Sequence, residues 1–349
     1  MCMLEKMKDY CTISSSSSSF LPIVYLSLLI ICLSAPPPSA AARPRCNSND
    51  KKALLQIKKD LGNPYHLASW DPTTDCCSWY VVKCDRLTGR ITALTVFQAD
   101  FAGRIPASVG GLPYLTQLMF HHVPNLTGTI PPSITKLTRL TSLDISWTSL
   151  SGQIPAFLSQ LKNLTYLDLS FNNFTGPIPE SLGELRNLGA LHLDRNKLTG
   201  PIPESFGKFS PAPDLYLSHN QLTGKLPASF GNLDFERIDL SRNRLEGDAS
   251  ILFGKSKNAQ TIDLSRNAFQ FDFSKVEGFS KSLIALDLNH NQITGTLPAA
   301  LTAAENLQQF NVSYNRLCGE IPKGRLQTSF DKYSYFHNKC LCGSPLPPC

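Results

Sequence analysis

The stretch LTYLDLSFNNFTGPIP, from Leu164 to Pro179, decides the fold. One residue separates Leu167 from Leu169, which puts both on one face of a short strand and turns Tyr166, Asp168 and Ser170 to the other. Phe174 and Ile178 turn inward farther round. Asn172 falls where the strand ends, and an inward amide there satisfies backbone groups that the turn leaves free. The glycine and proline of Gly176-x-x-Pro179 punctuate the coil, and proline's missing donor predicts an outer side with neither a second long ladder nor a helix.

The pattern LxxLxLxxNxLxGxIP recurs with its glycine at Gly103, Gly128, Gly152, Gly176, Gly200, Gly224, Gly247, Gly295 and Gly319, and one further copy, around Phe271, lacks it. The step is 24 residues almost throughout, with 25 before Gly128 and 23 before Gly247. The asparagine returns as Asn196, Asn220, Asn243, Asn267, Asn291 and Asn315. No single copy can bury its leucines alone, so the copies stack. The expected fold is an α/β solenoid: a right-handed superhelix of about ten 24-residue coils with a parallel sheet on its concave face and a stapled cap at each end.

The ends read differently. A serine run, Ser14 to Ser19, precedes an apolar stretch of 14 residues, Phe20 to Leu33, and the small residues Ser39 to Ala42. That order predicts a secretory signal peptide over residues 1–42, since the stretch is shorter than the roughly 20 residues a membrane span needs. Lys6 and Lys8 are offset by Glu5 and Asp9, so an uncleaved anchor is the alternative. Removing this leader takes away Cys2, Cys11 and Cys32 and leaves eight cysteines. Cys46, Cys76, Cys77 and Cys84 precede the repeats, and Cys318, Cys340, Cys342 and Cys349 follow them. Neither cluster has paired CxxC spacing, and export favours disulfides over zinc, with three pairings open in each cluster. The expected division is a cap at 43–90, ten coils at 91–322 and a second cap at 323–349, where the period is lost. In the first cap Asn49 and Asp50 start a helix whose Leu54, Ile57 and Leu61 cover the first coil, and Trp70 and Trp79 complete the seal.

The net charge of +6 suits a polyanion without proving one, and no basic cluster interleaved with aromatics points to nucleic acid. No second apolar stretch predicts a membrane span. No metal or cofactor motif is present.

Side chains between the leucines face outward and form columns at roughly 4.8 Å spacing. The first column reads Thr95, Met119, Asp144, Asp168, His192, Tyr216, Asp239, Asp263, Asp287, Asn311. The second reads Phe97, His121, Ser146, Ser170, Asp194, Ser218, Ser241, Ser265, Asn289, Ser313, with the register of coil two open because that coil has an extra residue. The third reads Gln98, His122, Trp147, Phe171, Arg195, His219, Arg242, Arg266, His290, Tyr314. Acid lies on one side, and basic and aromatic residues on the other. Stacked carboxylates repel and favour a cationic partner, although aspartate is also a common polar filler here. Ser170, His192 and Asp168 approach one another, but an array of exposed strands makes such meetings inevitable, and no oxyanion arrangement accompanies them, so no enzyme is expected.

The repeat, leader and cysteine arrangement together resemble the plant polygalacturonase-inhibiting proteins, apoplastic members of the leucine-rich-repeat class. The most specific pieces are DKKALLQIKKDLGNPY (Asp50 to Tyr65), TDCCSWYVVKC (Thr74 to Cys84), LEGDASILFG (Leu245 to Gly254) and CLCGSPLPPC (Cys340 to Cys349). The resemblance implies plant-type coils and disulfides joining Cys46 to Cys76, Cys77 to Cys84, Cys318 to Cys340 and Cys342 to Cys349. It implies a secreted defence protein of the plant cell wall that inhibits fungal or insect endopolygalacturonases and so limits pectin degradation. It further implies an acidic pocket at Asp168, Asp194 and Asp239, flanked by Asp144 and Asp263, that meets basic residues near the enzyme's cleft. Trp147, Phe171, Tyr166, Tyr216 and His192 complete the expected contact surface. Arg195, Arg242 and Arg266 make an edge able to hold homogalacturonan carboxylates, with pairing to neighbouring aspartates as the competing reading. Sequons at Asn125, Asn163, Asn173 and Asn311 fit secretion, and a glycan on Asn311 would obstruct its end of the concave face. A receptor-like signalling role is the alternative. An ice-binding role is a lesser one, since one antifreeze type resembles the same family.

Overall fold

The computed structural model describes residues 45–349, so the expected leader lies outside the described residues. Ten strands, one per coil, pair in parallel from Ile91–Phe97 through Gln117–Gly128, Ser142–Gln153, Tyr166–Asp168, Ala190–His192, Asp214–Tyr216, Arg237–Asp239, Thr261–Asp263 and Ala285–Asp287 to Gln309–Asn311. Each sends its leucines inward, and Leu167, Leu169, Leu191 and Leu193 are wholly buried. The asparagines form an internal ladder. Asn196 Nδ2 donates to the carbonyls of Leu169, Leu193 and Asp194 at 2.9, 3.2 and 3.2 Å, and its Oδ1 accepts from Phe174 N at 3.0 Å. One amide thus binds its own coil to the one before it.

The outer side differs from expectation. A second, shorter parallel ladder runs just past the turn through Asn173–Pro177, Lys197–Gly200, Gln221–Gly224 and Arg244–Gly247. The proline of each G-x-I-P does not exclude a helix. Pro155, Pro179, Pro203 and Pro227 instead sit at the N-cap of a five-residue 3-10 turn such as Glu180–Glu184. Proline's fixed φ suits that position, and its missing N–H is lost where no partner was available. From Gly128 onward the repeat glycines are left-handed, with φ +75° at Gly176, where a Cβ would also meet Gln153 Cγ at 3.0 Å. Where Phe271 replaces the glycine, the outer ladder shrinks to Ala268–Phe269 and a lone Asp272–Thr294 bridge. Phe271 packs there with Phe253 and Phe273.

Both caps are stapled by the four disulfides that the resemblance implies. The helix Ser48–Asp60 starts slightly earlier than expected, because Asn47 is the N-cap and accepts from Asn49 N and Asp50 N. Asp50 turns into the protein instead, where its carboxylate takes Arg90 Nε, Arg90 Nη2 and Ile91 N at 2.9, 2.7 and 2.9 Å. Trp70 and Trp79 stack at 5.7 Å and seal the first coil. The other cap does not lose the period altogether. Val312 N and Tyr314 N donate to Ser334 O and Phe336 O, and Asn338 repeats the ladder by accepting from Leu317 N and donating to Val312 O. Without a leucine pattern this partial eleventh coil is hidden in the sequence, although Asn338 follows Asn315 by 23 residues.

Candidate functional site

Strand pairing fixes the columns. Asp144 opposes Asp168, Asp168 opposes His192, Tyr216 opposes both His192 and Asp239, and Asp239, Asp263 and Asp287 follow in register. In coil two His121 lies between Phe97 and Ser146, and the extra residue is absorbed by an irregularity between Val123 and Thr127.

The aspartates are less open than a solvent-facing column implies. Asp144 and Asp168 are only 6% and 8% exposed, while Asp194, Asp239, Asp263 and Asp287 are half-buried. Most fold back onto the strand end. Asp168, Asp239, Asp263 and Asp287 each accept the backbone N–H two residues on, at 2.8, 2.9, 2.9 and 2.9 Å, and Asn311 does the same with its amide oxygen at 3.0 Å. This cap is a structural duty of the kind short polar side chains perform at turns. The second column is not displayed either: Ser146, Ser170, Ser241, Ser265 and Ser313 are buried beside these side chains, and Ser218, which follows Tyr216 and has no such cap, is buried as well. Asp194 stands apart: it occupies a serine position, and no other residue among the described ones hydrogen-bonds its carboxylate.

Burial and crowding set the electrostatics. Burial first, and then Asp168 and Asp239, push the Asp194 carboxyl up to about 7. Burial pushes Asp144 up to about 6 against the pull of its Ser146 hydrogen bond, with Asp168 adding to the rise. Asp263 is likewise raised to about 6 and Asp287 is raised, both chiefly by burial. His192 is lowered by burial despite Asp168 beside it. Tyr166 donates to Asp168 Oδ2 at 3.1 Å, and burial with the surrounding carboxylates raises its phenol. His192 stacks on Tyr216 at 4.4 Å and lies 5.5 Å from Tyr166.

The third column carries a feature that the sequence reading missed. Every member from Gln98 to Tyr314, and His337 beyond it, has a left-handed backbone, with φ between +48° and +57°. Bulky residues adopt that region at a cost, and β-branched ones hardly at all. The absence of Val, Ile and Thr from all ten positions was the available signal. The conformation throws these side chains outward in register, so they stack: His122 on Trp147 at 5.9 Å, Trp147 on Phe171 at 3.6 Å, Arg195 over Phe171 at 4.9 Å, and His290 on Tyr314 at 4.1 Å. Arg195, Arg242 and Arg266 are exposed, and among the described residues none has a carboxylate within 4.0 Å, so pairing with the neighbouring aspartates is not what occupies them. The arginine–aspartate pair on this face is Arg237–Asp214 at 2.9 Å, in the column that precedes the first one and away from these arginines, which the sequence reading did not single out.

No catalytic constellation forms from Ser170, His192 and Asp168, because Ser170 is buried and no hydrogen bond joins its hydroxyl to His192 among the described residues. Among the sequons, Asn125 and Asn163 are exposed, whereas Asn173 and Asn311 are half-buried. No helix among the described residues is long and apolar enough to cross a membrane.

These features define a leucine-rich-repeat solenoid that displays a charged and aromatic sheet face. Family models agree: the leucine rich repeat N-terminal domain matches residues 47–85, and leucine rich repeats match 138–198, 214–233 and 282–303. Polygalacturonase inhibitor 1 of Arabidopsis thaliana is 62% identical over 93% of this chain and 98% of its own length. The crystal structure of a plant ice-binding protein superimposes with a TM-score of 0.85 at 54% identity, covering 88% of this chain and 99% of that one. The PEPR1–AtPEP1 structure aligns with a TM-score of 0.70 at 29% identity, over 85% of this chain and 46% of that one. The chain belongs to the polygalacturonase inhibitor family.

Proposed function

We propose that this chain is an extracellular plant defence protein that binds fungal or insect endopolygalacturonases on its concave face and so limits pectin degradation. The observation that carries this reading is the row Asp144, Asp168, Asp194, Asp239 and Asp263, whose carboxylates crowd one another while the face's exposed arginines stay unpaired with them. A basic enzyme surface relieves that crowding, and Tyr166, His192, Tyr216, Trp147 and Phe171 add anchoring area beside it. Arg195, Arg242 and Arg266 form a separate edge suited to pectin carboxylates. We place residues 1–42 as leader, 43–90 and 323–349 as caps, and glycans on Asn125, Asn163, Asn173 and Asn311.

The test is a panel of endopolygalacturonases acting on polygalacturonate, with released reducing ends measured in the presence of the mature protein. Slowing of at least one enzyme supports the reading, and slowing of none contradicts it. The PEPR1–AtPEP1 likeness favours a receptor-like role as second reading, which a null panel would bring forward. Likeness to the ice-binding protein raises thermal hysteresis as a further readout, although the buried serine column leaves no flat array of small polar groups on this face.

A further inference from the structure

We infer that the docking surface continues beyond coil two, over Phe97 of coil one and onto Tyr80 of the N-terminal cap, where the two side chains seat an apolar rim of the same enzyme partner, beside the partner's basic patch. The inference rests on the proposed inhibitory reading and extends its footprint. Large apolar side chains exposed among the described residues are few, and three of them, Tyr80, Phe97 and Trp147, lie on one track. Tyr80 and Phe97 are 6.1 Å apart. Phe97 is in register with His121, His121 lies 6.4 Å from His122, and His122 leads to the Trp147–Phe171 stack.

Neither side chain is buried in the core. Phe97 occupies the column that later coils fill with buried serines, yet it is 40% exposed, and Tyr80 is 47% exposed. Tyr80 is nonetheless anchored: its N–H donates to Ser69 Oγ at 3.0 Å, its carbonyl accepts from Nε1 of the wholly buried Trp70 at 2.9 Å, and its ring packs edge-on against His66 at 5.3 Å. A rigid exposed aromatic loses little freedom on binding, and contiguous exposed aromatics mark interfaces. The first column changes in step. It is uncharged at Thr95 and Met119 in coils one and two and becomes acidic only from Asp144 onward. A partner whose basic patch lies over Asp144, Asp168 and Asp194 therefore places an adjoining apolar rim, not a charged one, over coils one and two.

The experiment measures binding of an inhibited polygalacturonase by surface plasmon resonance at two salt concentrations. The Tyr80→Ser/Phe97→Ser double variant is expected to weaken binding at least tenfold with the salt dependence unchanged, and Phe97→Leu, which keeps the apolar area, to bind like the parent. Tyr314→Ala, equally exposed at the far end of the third column, is expected to change binding less than twofold. Parent-like binding by the double variant while Asp194→Asn binds weakly overturns this inference alone, and so does an equal loss from Tyr314→Ala. Parent-like binding by both Asp194→Asn and the double variant removes the acidic-face contact and this inference with it, while failure of the inhibitory reading itself is read from the enzyme panel.

Discussion

Asp168 in coil four and Asp263 in coil eight share a column, pair in register with their neighbours, and each accept the N–H two residues on, at 2.8 and 2.9 Å. Around Asp168 stand the Tyr166 hydroxyl, the unbonded carboxylate of Asp194 and the Trp147–Phe171 stack. Asp263 belongs to coils whose third column is Arg242, Arg266 and His290. The scaffold is one and the same, so the contrast separates what an aspartate does for the fold from what its surroundings add. Capping the strand end is common to both halves. Carboxylates run through both halves, whereas the Tyr166 hydroxyl and the Trp147–Phe171 stack flank them in the first half.

The first way to break this comparison is to cut the shared scaffold. Asn196→Ala and Asn291→Ala, one in each half, each remove an amide that donates three buried hydrogen bonds and accepts a fourth. Each should cost about 3 kcal/mol or more, since stranded buried groups cost roughly 1–3 kcal/mol apiece. Denaturant midpoints should fall equally, and a cost confined to one half would show that the two halves are not one scaffold. A smaller effect isolates the cap. Asp263→Ala should lose about 1 kcal/mol, whereas Asp263→Asn should lose almost nothing, because Asn311 already makes the same bond with an amide oxygen.

The pH dependence sharpens the comparison further, and its sign is unusual for carboxylates. The folded-state values of Asp144, Asp194 and Asp263, at about 6, 7 and 6, lie above that of an unfolded aspartate. Protonation therefore favours folding: the contribution is complete below about pH 4 and is lost as pH rises through 6 to 7. Thermal unfolding should come at a higher temperature at pH 5 than at pH 7.5. An Asp144→Asn/Asp194→Asn variant should flatten that difference, and an unchanged slope would show that the first half does not carry it.

The sequence displayed the period, the inward leucines, the asparagine ladder and the register of Asp144, Asp168, Asp239 and Asp263, because spacing alone determines which way a strand residue points. It did not display how far those side chains reach. Alternation says outward for both Asp168 and Ser170, yet the aspartate bends over to cap the serine N–H and buries it. Composition likewise marked His122, Trp147, Phe171 and Arg195 as basic and aromatic without revealing the left-handed backbone that stacks them, a property of where the strand stops. The cap at 323–349 looked aperiodic because its leucines leave the repeat spacing, while Asn338 keeps the ladder.

The central claim is that the row from Asp144 to Asp263 makes the contact and that Asp287, beyond it, contributes little. The most direct measurement compares Asp194→Asn with Asp287→Asn in affinity for one inhibited polygalacturonase, at low and physiological salt. Asp194 caps nothing, so its loss reports only on the partner. Binding should weaken by about 2 kcal/mol, roughly thirtyfold, for Asp194→Asn, less than threefold for Asp287→Asn, and for the parent should fall as salt screens the attraction. Equal effects of the two substitutions, or a parent affinity indifferent to salt, would contradict the account.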